Sequence, residues 1–372
     1  MHKNPAKLSM VITELDIGGA EKAFVRIACG LKQKNWDVRV VSLRDKGPLT
    51  ATLENEGLPV TALHCGGAFD LRAIFRLYRV LAADPPHAIL SFLHQANLVS
   101  RLAGSLAGVS CAVSGVRVAD RRLAVAISER LTRPCTDHYI AVSQAVRNVH
   151  QALCGISPNR ISVIRNGGDF TAIDEYPPVS RGSLNLHPED FVILCAGRLT
   201  PQKSPQHVLA AFIELHARQS EFRQPVKLVF TGDGPLLEEL KQRVHAAELQ
   251  DFVLFTGWRA DLIGIMKAAN VLVLASQWEG LPNVLIEAQT AGLPVISSRA
   301  DGCAEIVSHG VTGQLFTHNN LTELVSLLTE QIHNPTHASL MASTARESVR
   351  TLFSWQHCID QYDTLMRRLI IK

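Results

Sequence analysis

Two glutamates flank a short turn in the segment EGLPNVLIEAQTAGLPVISS, which covers residues 279–298. The segment follows an apolar run, VLVLAS, that predicts a buried strand. A proline suited to the first helical position and a glycine suited to the end predict a helix of roughly residues 283–291. The free amides at its start form an anion site. Glu279 and Glu287 beside such a site suit the hydroxyls of a nucleotide sugar. The alternative is a helix cap and a solvated surface residue.

A second cluster lies in AGRLTPQKS, residues 196–204, which follows the first apolar run of the second half. Arg198 and Lys203 stand five residues apart across a turn that contains a proline. Both should project from the end of a strand. A forked guanidinium and a point-charge ammonium in that place can clamp a pyrophosphate. The alternative is an ordinary solvated loop.

Two further motifs occur in the first half. In LDIGGAEKAF, residues 15–24, Gly18 and Gly19 would let the backbone pass close to a ligand between a strand and a helix. An ordinary tight turn is the alternative. In SFLHQAN, residues 91–97, His94 ends a strand and opens a helix, where it could orient a donor or acceptor hydroxyl. A structural histidine is the alternative.

Several motifs of other enzyme classes are absent. No G-x-G-x-x-G follows the first strand, which removes most of the support for a dinucleotide oxidoreductase. Neither a Walker lysine loop nor H-E-x-x-H nor G-x-S-x-G occurs. Without a D-x-D motif, no aspartate-held metal on a diphosphate is indicated, and the sequence predicts neither a metal site nor a cofactor.

Short apolar runs alternate with helical patterns along the chain, which predicts βαβ units and parallel sheets. We therefore expect an α/β protein with two tandem, doubly wound domains whose strand ends face a cleft. An amphipathic C-terminal helix should cross back onto the first domain. The predicted ranges are a first, acceptor-side domain at 1–170, a linker rich in Pro, Gly and Ser at 171–190, a second, donor-binding domain at 191–352 and the C-terminal helix at 353–372.

Composition and charge narrow the class of protein. The chain has 372 residues, 47% hydrophobic and 19% charged, which is typical of a globular protein. No uncharged apolar run of about 18 residues occurs, so no transmembrane helix is predicted, and the first residues indicate a strand rather than a signal peptide. The eight scattered cysteines predict buried thiols in a reducing cytoplasm.

The whole set of motifs resembles glycosyltransferase family 4, a family of retaining enzymes with the two-domain GT-B fold. The likeness covers nearly the whole chain in order, and its most specific part is the E-x7-E spacing of Glu279 and Glu287. The other matching positions are Arg198 with Lys203, the GGAE loop at 18–21, Asn166 with Gly167, Gly232 in TGDGP, and DGCAEIVSHGVTGQLF at 301–316.

The resemblance implies a role for each matching residue. Glu279 would contact the donor sugar, and Glu287 would bind the ribose hydroxyls. Arg198 and Lys203 would neutralise the departing diphosphate. The remaining assignments are backbone amides from Leu281, Asn283 and Val284, donor contacts from Gly18, Gly19, Asn166 and Gly232, and a place for His94 near the transferred sugar.

The implied function is transfer of a hexosyl unit, with retention, from a nucleotide sugar to a glycan or lipid-diphosphate-linked acceptor in envelope polysaccharide assembly. UDP is expected from the habit of the family. The alternatives are an epimerase or phosphorylase on the same fold and a non-catalytic module that binds sugar nucleotides. No nucleic-acid partner is expected.

Charge also suggests where the protein works. Residues 1–170 hold 21 Lys and Arg against 13 Asp and Glu, a net charge of +8, whereas the rest of the chain carries −5. Much of the excess lies in VRVADRRLAVAISERLTR, residues 116–133, which reads as a basic amphipathic helix. A cytoplasmic protein that binds the anionic inner leaflet is one interpretation, and an ordinary solvated helix is the other.

Overall fold

The computed structural model describes residues 5–67 and 70–371, which group into two compact units. The first unit comprises the described residues up to Gly167 and those from Trp355 onward, and the second is Gly168–Ser354. The chain therefore passes from one unit to the other at two places, 167/168 and 354/355.

The segment 171–190, predicted as a linker, groups with the second unit and is partly helical. The Arg181 guanidinium explains why this segment is tied down. Its nitrogens donate to the carbonyl oxygens of Ala268, Pro188 and Asp190 at 2.7–3.0 Å, and to the side-chain oxygen of Asn270 at 2.9 Å. Lys267 also donates to the carbonyl oxygens of Asp174 and Tyr176, so several contacts fix a stretch whose composition indicates a flexible connection.

The first unit holds a parallel sheet with helices on both faces. Its strands are β1 (Ala6–Ile12), β2 (Trp36–Ser42), β3 (Val60–Ala62), β4 (Ala88–Phe92), β5 (Ala112–Val116), β6 (His138–Ala141) and β7 (Ile161–Val163). Its helices are α1 (Gly19–Gln33), α2 (Thr50–Asn55), α3 (Arg72–Ala83), α4 (His94–Leu106), α5 (Leu123–Thr132), α6 (Gln144–Cys154) and α14 (Trp355–Ile370). The strand order is β3-β2-β1-β4-β5-β6-β7.

The second unit repeats this plan. Its strands are β8 (Phe191–Ala196), β9 (Val226–Thr231), β10 (Val253–Gly257), β11 (Val271–Leu274), β12 (Val295–Ser298) and β13 (Gln314–Phe316). Its helices are α7 (Phe170–Glu175), α8 (Pro205–Ala217), α9 (Leu237–Ala246), α10 (Leu262–Ala268), α11 (Asn283–Thr290), α12 (Leu321–His333) and α13 (Pro335–Leu352). The order β10-β9-β8-β11-β12-β13 is parallel throughout.

Apolar side chains on both faces of the strands explain the layered arrangement. All six residues of β8 and all five of β4 and β5 are buried, as expected for strands covered by helices on each side. Short five-residue apolar runs cannot bury two faces alone, so the helices supply the outer layers.

Helix α14 belongs to the first unit, as predicted. Its buried residues, Cys358, Ile359, Tyr362, Leu365 and Met366, recur at a spacing of three to four and form one face. The approach is close because α1 carries a glycine. A Cβ on Gly30 would lie 2.3 Å from Cδ1 of Ile359. The last helix is therefore part of the core built on β1 and β4.

Candidate active site

Each sheet has one point at which successive strands are added in opposite directions. In the second unit this point lies between β8 and β11, and in the first it lies between β1 and β4. Loops that follow two such strands leave a crevice beyond their carboxyl ends, where doubly wound proteins bind ligands. Most of the predicted site residues lie in these loops or at the helix starts that follow them. The exceptions are Glu287, inside α11, Gly232, after β9, and Asn166, after β7.

Lys203 and Glu279, predicted from separate motifs, meet in the second unit. Lys203 lies in the loop after β8, and Glu279 in the loop after β11. The ammonium of Lys203 forms an ion pair with Oε1 of Glu279, which also accepts a hydrogen bond from the Ser276 hydroxyl at 2.7 Å. Glu279 is only 6% exposed, so its carboxylate has a fixed direction.

Arg198 presents a different environment, because its side chain is exposed. Within residues 5–67 and 70–371 its guanidinium makes no hydrogen bond and no ion pair. Its backbone lies beside the loop after β9. A Cβ on Gly232 would lie 2.0 Å from the carbonyl oxygen of Gly197, so only glycine fits there. The backbones of the loops after β8 and β9 are thus packed against each other beside the exposed Arg198.

Helix α11 begins beside Glu279. Asn283 and Val284 are its first two residues and are half-buried, whereas Leu281 is buried. The helix begins at Asn283, as predicted, and Pro282 is its N-cap rather than its first residue. The Pro282 carbonyl accepts from the Leu285 N–H at 3.0 Å. Glu287 lies more than one turn inside α11 and is half-buried. It therefore belongs to the same helix as the backbone amides of Asn283 and Val284.

Two residues beside the second-unit site belong to the 301–316 segment, which matched the family pattern but received no individual role. A Cβ on Gly302 would lie 1.9 Å from the carbonyl oxygen of Gly280, so the loop after β12 presses on the turn that holds Glu279. Burial, followed by the charge of Glu279, raises the pKa of the neighbouring Cys303 thiol to about 12. Cys303 is therefore an unreactive thiol behind the site.

In the first unit, the loops after β1 and β4 carry the predicted glycines and histidine. Gly18 immediately precedes α1, and Gly19 is its exposed first residue. His94 is the first residue of α4. The Ala96 amide donates to the Thr13 hydroxyl at 3.3 Å, which joins the two loops.

His94 contacts two side chains of α5 that the sequence did not single out. Its Nδ1 lies 3.4 Å from Oε1 of Glu129, and its Nε2 lies 3.2 Å from Oγ of Ser128. Glu129 is 1% exposed, whereas the His94 side chain is 35% exposed. No spacing pattern links positions 94 and 129, because only the packing of α4 on α5 brings them together.

Glu129 is ionised although it is buried. Burial alone raises the pKa of this carboxyl, but the His94 contact and the Arg101 guanidinium outweigh burial and hold the pKa at about 2. Arg101 is itself 1% exposed, and its Nη1 lies 2.7 Å from Oε2 of Glu129. Buried carboxylates behave in this way when an opposite charge is close.

The backbone before His94 is strained. Leu93 has φ 72° and ψ 147°, a region that side chains other than glycine rarely adopt. The Leu93 side chain packs against the core of the first unit, which offsets part of this cost. The strain directs the chain into α4 so that His94 occupies the first helical position.

Asn166 has a structural contact in the first unit. It is 3% exposed, and its side-chain oxygen accepts a hydrogen bond from the Arg117 guanidinium. Its predicted donor-binding role remains a prediction. Gly167 allows α14 to begin here, because a Cβ on it would lie 2.1 Å from the Trp355 nitrogen.

The basic helix predicted over 116–133 is wrong in extent and in surface. The helix covers only Leu123–Thr132. Arg117 is buried over the Phe92 ring, and Arg122 pairs with Asp120. The exposed apolar residues of α5 are Leu123, Ile127 and Leu131, at 74%, 47% and 75%. The segment is therefore an apolar ridge with arginines at its margins.

The structure also bears on metal binding and on membrane insertion. Among the described residues, no three His, Cys, Asp or Glu side chains form a group that could hold a metal ion. Within residues 5–67 and 70–371, every helix is too short or too polar to cross a bilayer.

Comparison with known proteins gives consistent matches. The family model "Glycosyl transferases group 1" matches residues 178–348, and "Glycosyltransferase Family 4" matches residues 17–171. The UDP-Gal:alpha-D-GlcNAc-diphosphoundecaprenol alpha-1,3-galactosyltransferase of Escherichia coli is 26% identical over 359 residues, 92% of this chain and 91% of that protein. The lipopolysaccharide core biosynthesis glycosyltransferase LpsD of Rhizobium meliloti (strain 1021) is 28% identical over 60% of this chain and 66% of its own.

One solved structure illustrates the fold. The crystal structure of Anabaena Alr3699/HepE in complex with UDP-glucose matches with a TM-score of 0.84 at 23% identity. The match covers 97% of this chain and 99% of that one. The α/β plan with two parallel sheets is thus that of the GT-B glycosyltransferases, which confirms the predicted fold class.

Proposed function

Since the chain belongs to the family 4 glycosyltransferases, we propose that it transfers a hexosyl unit with retention from a nucleotide sugar, with UDP as the expected nucleotide, to a glycan or lipid-diphosphate-linked acceptor. The observation that carries this proposal is the meeting of Lys203 and Glu279 at the strand-order reversal of the second sheet. The Escherichia coli relative, named for a UDP-galactose donor and a diphosphoundecaprenol-linked acceptor, supports the choice of substrates.

The chemistry follows from where charge develops. When the bond between sugar and diphosphate breaks, negative charge builds on the departing oxygens. Exposed Arg198 and the neighbouring Lys203 would stabilise that charge, together with the amides of Leu281, Asn283 and Val284. Gly232 would leave room for the nucleotide, and Glu287 would accept hydrogen bonds from the ribose hydroxyls.

The environment of Glu279 bears on how the proposed retention could be achieved. A double displacement needs a carboxylate free to attack the sugar carbon. Oε1 of Glu279 is already bonded to Lys203 and Ser276, so this residue suits a donor-sugar contact better than a nucleophile. We therefore favour attack of the acceptor on the same face, with the leaving diphosphate taking the acceptor proton.

The first unit would supply the acceptor side. His94 would contact the transferred sugar, and Gly18 and Gly19 would let the backbone approach the leaving group. Asn166 would act on the donor only indirectly, since its side chain is buried against Arg117. An epimerase, a phosphorylase and a non-catalytic sugar-nucleotide module remain the competing functions.

A product screen tests the function. The purified protein, incubated with a panel of UDP-, GDP- and ADP-sugars and lipid-diphosphate-linked acceptors, should release nucleoside diphosphate and form one glycosylated product with unchanged anomeric configuration. EDTA should leave the rate within about 2-fold, because the proposed charge partners are Arg198, Lys203 and amides. An isomerised donor without transfer would indicate an epimerase, and loss of rate with EDTA that Mg²⁺ restores would refute metal independence.

The exposed apolar residues of α5 also suggest where in the cell the protein works. Leu123, Ile127 and Leu131 are spaced by four residues and form one exposed apolar stripe, with Arg122 and Arg130 exposed beside it. Large exposed apolar residues on one helix face suit insertion at a bilayer interface, and the arginines suit anionic headgroups. We propose that the protein works in the cytoplasm, on the inner leaflet, where a lipid-linked acceptor is anchored.

Flotation tests this surface. The protein should float with vesicles that contain anionic lipid at low salt and should separate from them at high salt. Replacing Leu123 and Leu131 by serine should reduce the floated fraction about 10-fold, because buried apolar area drives the insertion. Leu340 is 66% exposed on α13, so Leu340→Ser is a matched control that should float normally. Absence of flotation at low salt would favour a soluble acceptor.

A further inference from the structure

We propose that Glu129 is a positioning residue that acts through His94: the buried ion pair of Glu129 with Arg101 sets the direction of the half-buried His94 ring. The inference rests on the proposed role of His94. It concerns residues of the first unit alone, and the sequence analysis assigned Glu129 no role within the basic segment 116–133.

The cluster has a directional geometry. His94 and Arg101 lie on one face of α4, two turns apart, and Glu129 of α5 lies between them. One carboxylate oxygen faces Nη1 of Arg101 at 2.7 Å, and the other faces Nδ1 of His94 at 3.4 Å. The carboxylate therefore bridges a buried cation and a half-buried imidazole.

Arg101 is held by three other elements. Its Nε donates to the Ser114 hydroxyl of β5 at 3.0 Å, and its Nη1 donates to the Thr132 hydroxyl of α5 at 2.9 Å. The guanidinium also lies 5.1 Å from the centre of the Tyr139 ring on β6. Because its partner is fixed in this way, Glu129 has a fixed direction as well.

Stability alone does not account for this arrangement. Replacing a buried ion pair by apolar side chains is often neutral or stabilising, so such a pair is weak evidence for a stabilising role. A pair with only a structural role would also satisfy both carboxylate oxygens inside the core. Here one oxygen is turned to a histidine that is 35% exposed and begins a helix after a strained residue.

The contacts also assign the two ring nitrogens. A carboxylate oxygen accepts, so Nδ1 is the nitrogen that carries a proton toward Glu129. The contact of 3.4 Å between Nδ1 and Oε1 is at the long end of hydrogen-bond distances. Nε2 lies 3.2 Å from the Ser128 hydroxyl. A sugar hydroxyl would replace Ser128 as the hydrogen-bond partner of Nε2.

A double-mutant cycle tests the inference. Glu129→Gln should lower kcat about 10-fold, the lower end of the effect of removing a group that orients a functional histidine. In the His94→Ala background the same change should cost less than about 2-fold, because the two residues act as one unit. Asp84 is a surface carboxylate of the same unit, and Asp84→Asn should stay within about 2-fold of wild type.

The outcomes separate this inference from the proposed function. If Glu129→Gln costs as much without His94 as with it, Glu129 has only a structural role. Normal turnover of His94→Ala would overturn both the role of His94 and this inference, while transfer itself would still be shown by its product.

Two measurements keep the inference testable if Glu129→Gln folds poorly. Arg101→Gln combined with Glu129→Gln removes both buried charges, and it should fold yet show the same loss of kcat. Ring ¹H–¹⁵N spectra should show a proton on Nδ1 of His94 in the wild type and a mixture of tautomers in this double variant. A wild-type ring protonated only on Nε2 would contradict the assignment.

Discussion

Lys203→Ala should lower turnover roughly 100-fold or more, the usual scale for losing a charge partner of the transition state. The loss has two physical causes. The departing diphosphate loses a cation, and the carboxylate of Glu279, only 6% exposed, loses its ion-pair partner and is free to turn. The measurement is kcat with saturating nucleotide sugar, together with a thermal melt.

Arg198→Ala should cause a similar loss of turnover, but only because the departing diphosphate loses a cation. Since the Arg198 guanidinium makes no ion pair in the described part of the chain, its removal should leave the melting temperature unchanged, whereas Lys203→Ala should lower it. Lys241 is an exposed lysine of the same unit that pairs with the exposed Glu238, and Lys241→Ala is the matched control. Near-normal turnover of both Arg198→Ala and Lys203→Ala would refute the hypothesis that these two side chains bind the departing diphosphate.

Arg101→Met should reduce the free energy of unfolding by about 3–5 kcal/mol at pH 7, because it leaves the Glu129 carboxylate buried without its cation. Arg44→Met is the control in the same unit. The Arg44 side chain is 48% exposed and pairs with Glu14, so this change should cost at most about 1 kcal/mol. Chemical denaturation of the three proteins gives the comparison, and equal losses for the two arginines would contradict the account.

The pH dependence of this loss has a definite sign. In the wild type, the pKa of Glu129 is lowered from 4.5 to about 2, so the stabilisation by its ionised form is full above pH 4.5 and disappears as the pH falls toward 2. Without Arg101, burial is less opposed and the pKa of Glu129 should rise. The deficit of Arg101→Met should therefore shrink between pH 7 and pH 4, and a deficit that is constant with pH would refute the electrostatic cause.

The sequence predicts most of the fold because its strands bury both faces. Every apolar run that predicted a strand coincides with one of the thirteen strands of the described residues. The same alternation with helices predicted both parallel sheets. Pairs such as Lys203 and Glu279 follow from the rule that ligands bind where strand order reverses, so their meeting could be anticipated although they are 76 residues apart.

The errors arise where a contact across elements decides the outcome. Arg117 looks like the start of a basic helix, but it is buried against Phe92 and Asn166. The segment 171–190 looks like a linker, but contacts of Arg181 and Lys267 fix it to the second unit. Glu129 is one acidic residue in a basic stretch, and only the packing of α4 on α5 reveals its contact with His94. Such contacts with residues of other elements cannot be predicted from local composition.

The place of α14 reverses the usual order of folding during synthesis. Domains generally fold as units with the N-terminal one first. Here Tyr362 and Met366, both fully buried, complete the core built on β1 and β4, but the ribosome makes them after the whole of the second unit. The second unit can therefore fold while the first still exposes the apolar surface that α14 will cover. The domain that begins first is thus the last to be finished, and it is the one that needs protection from aggregation on the nascent chain.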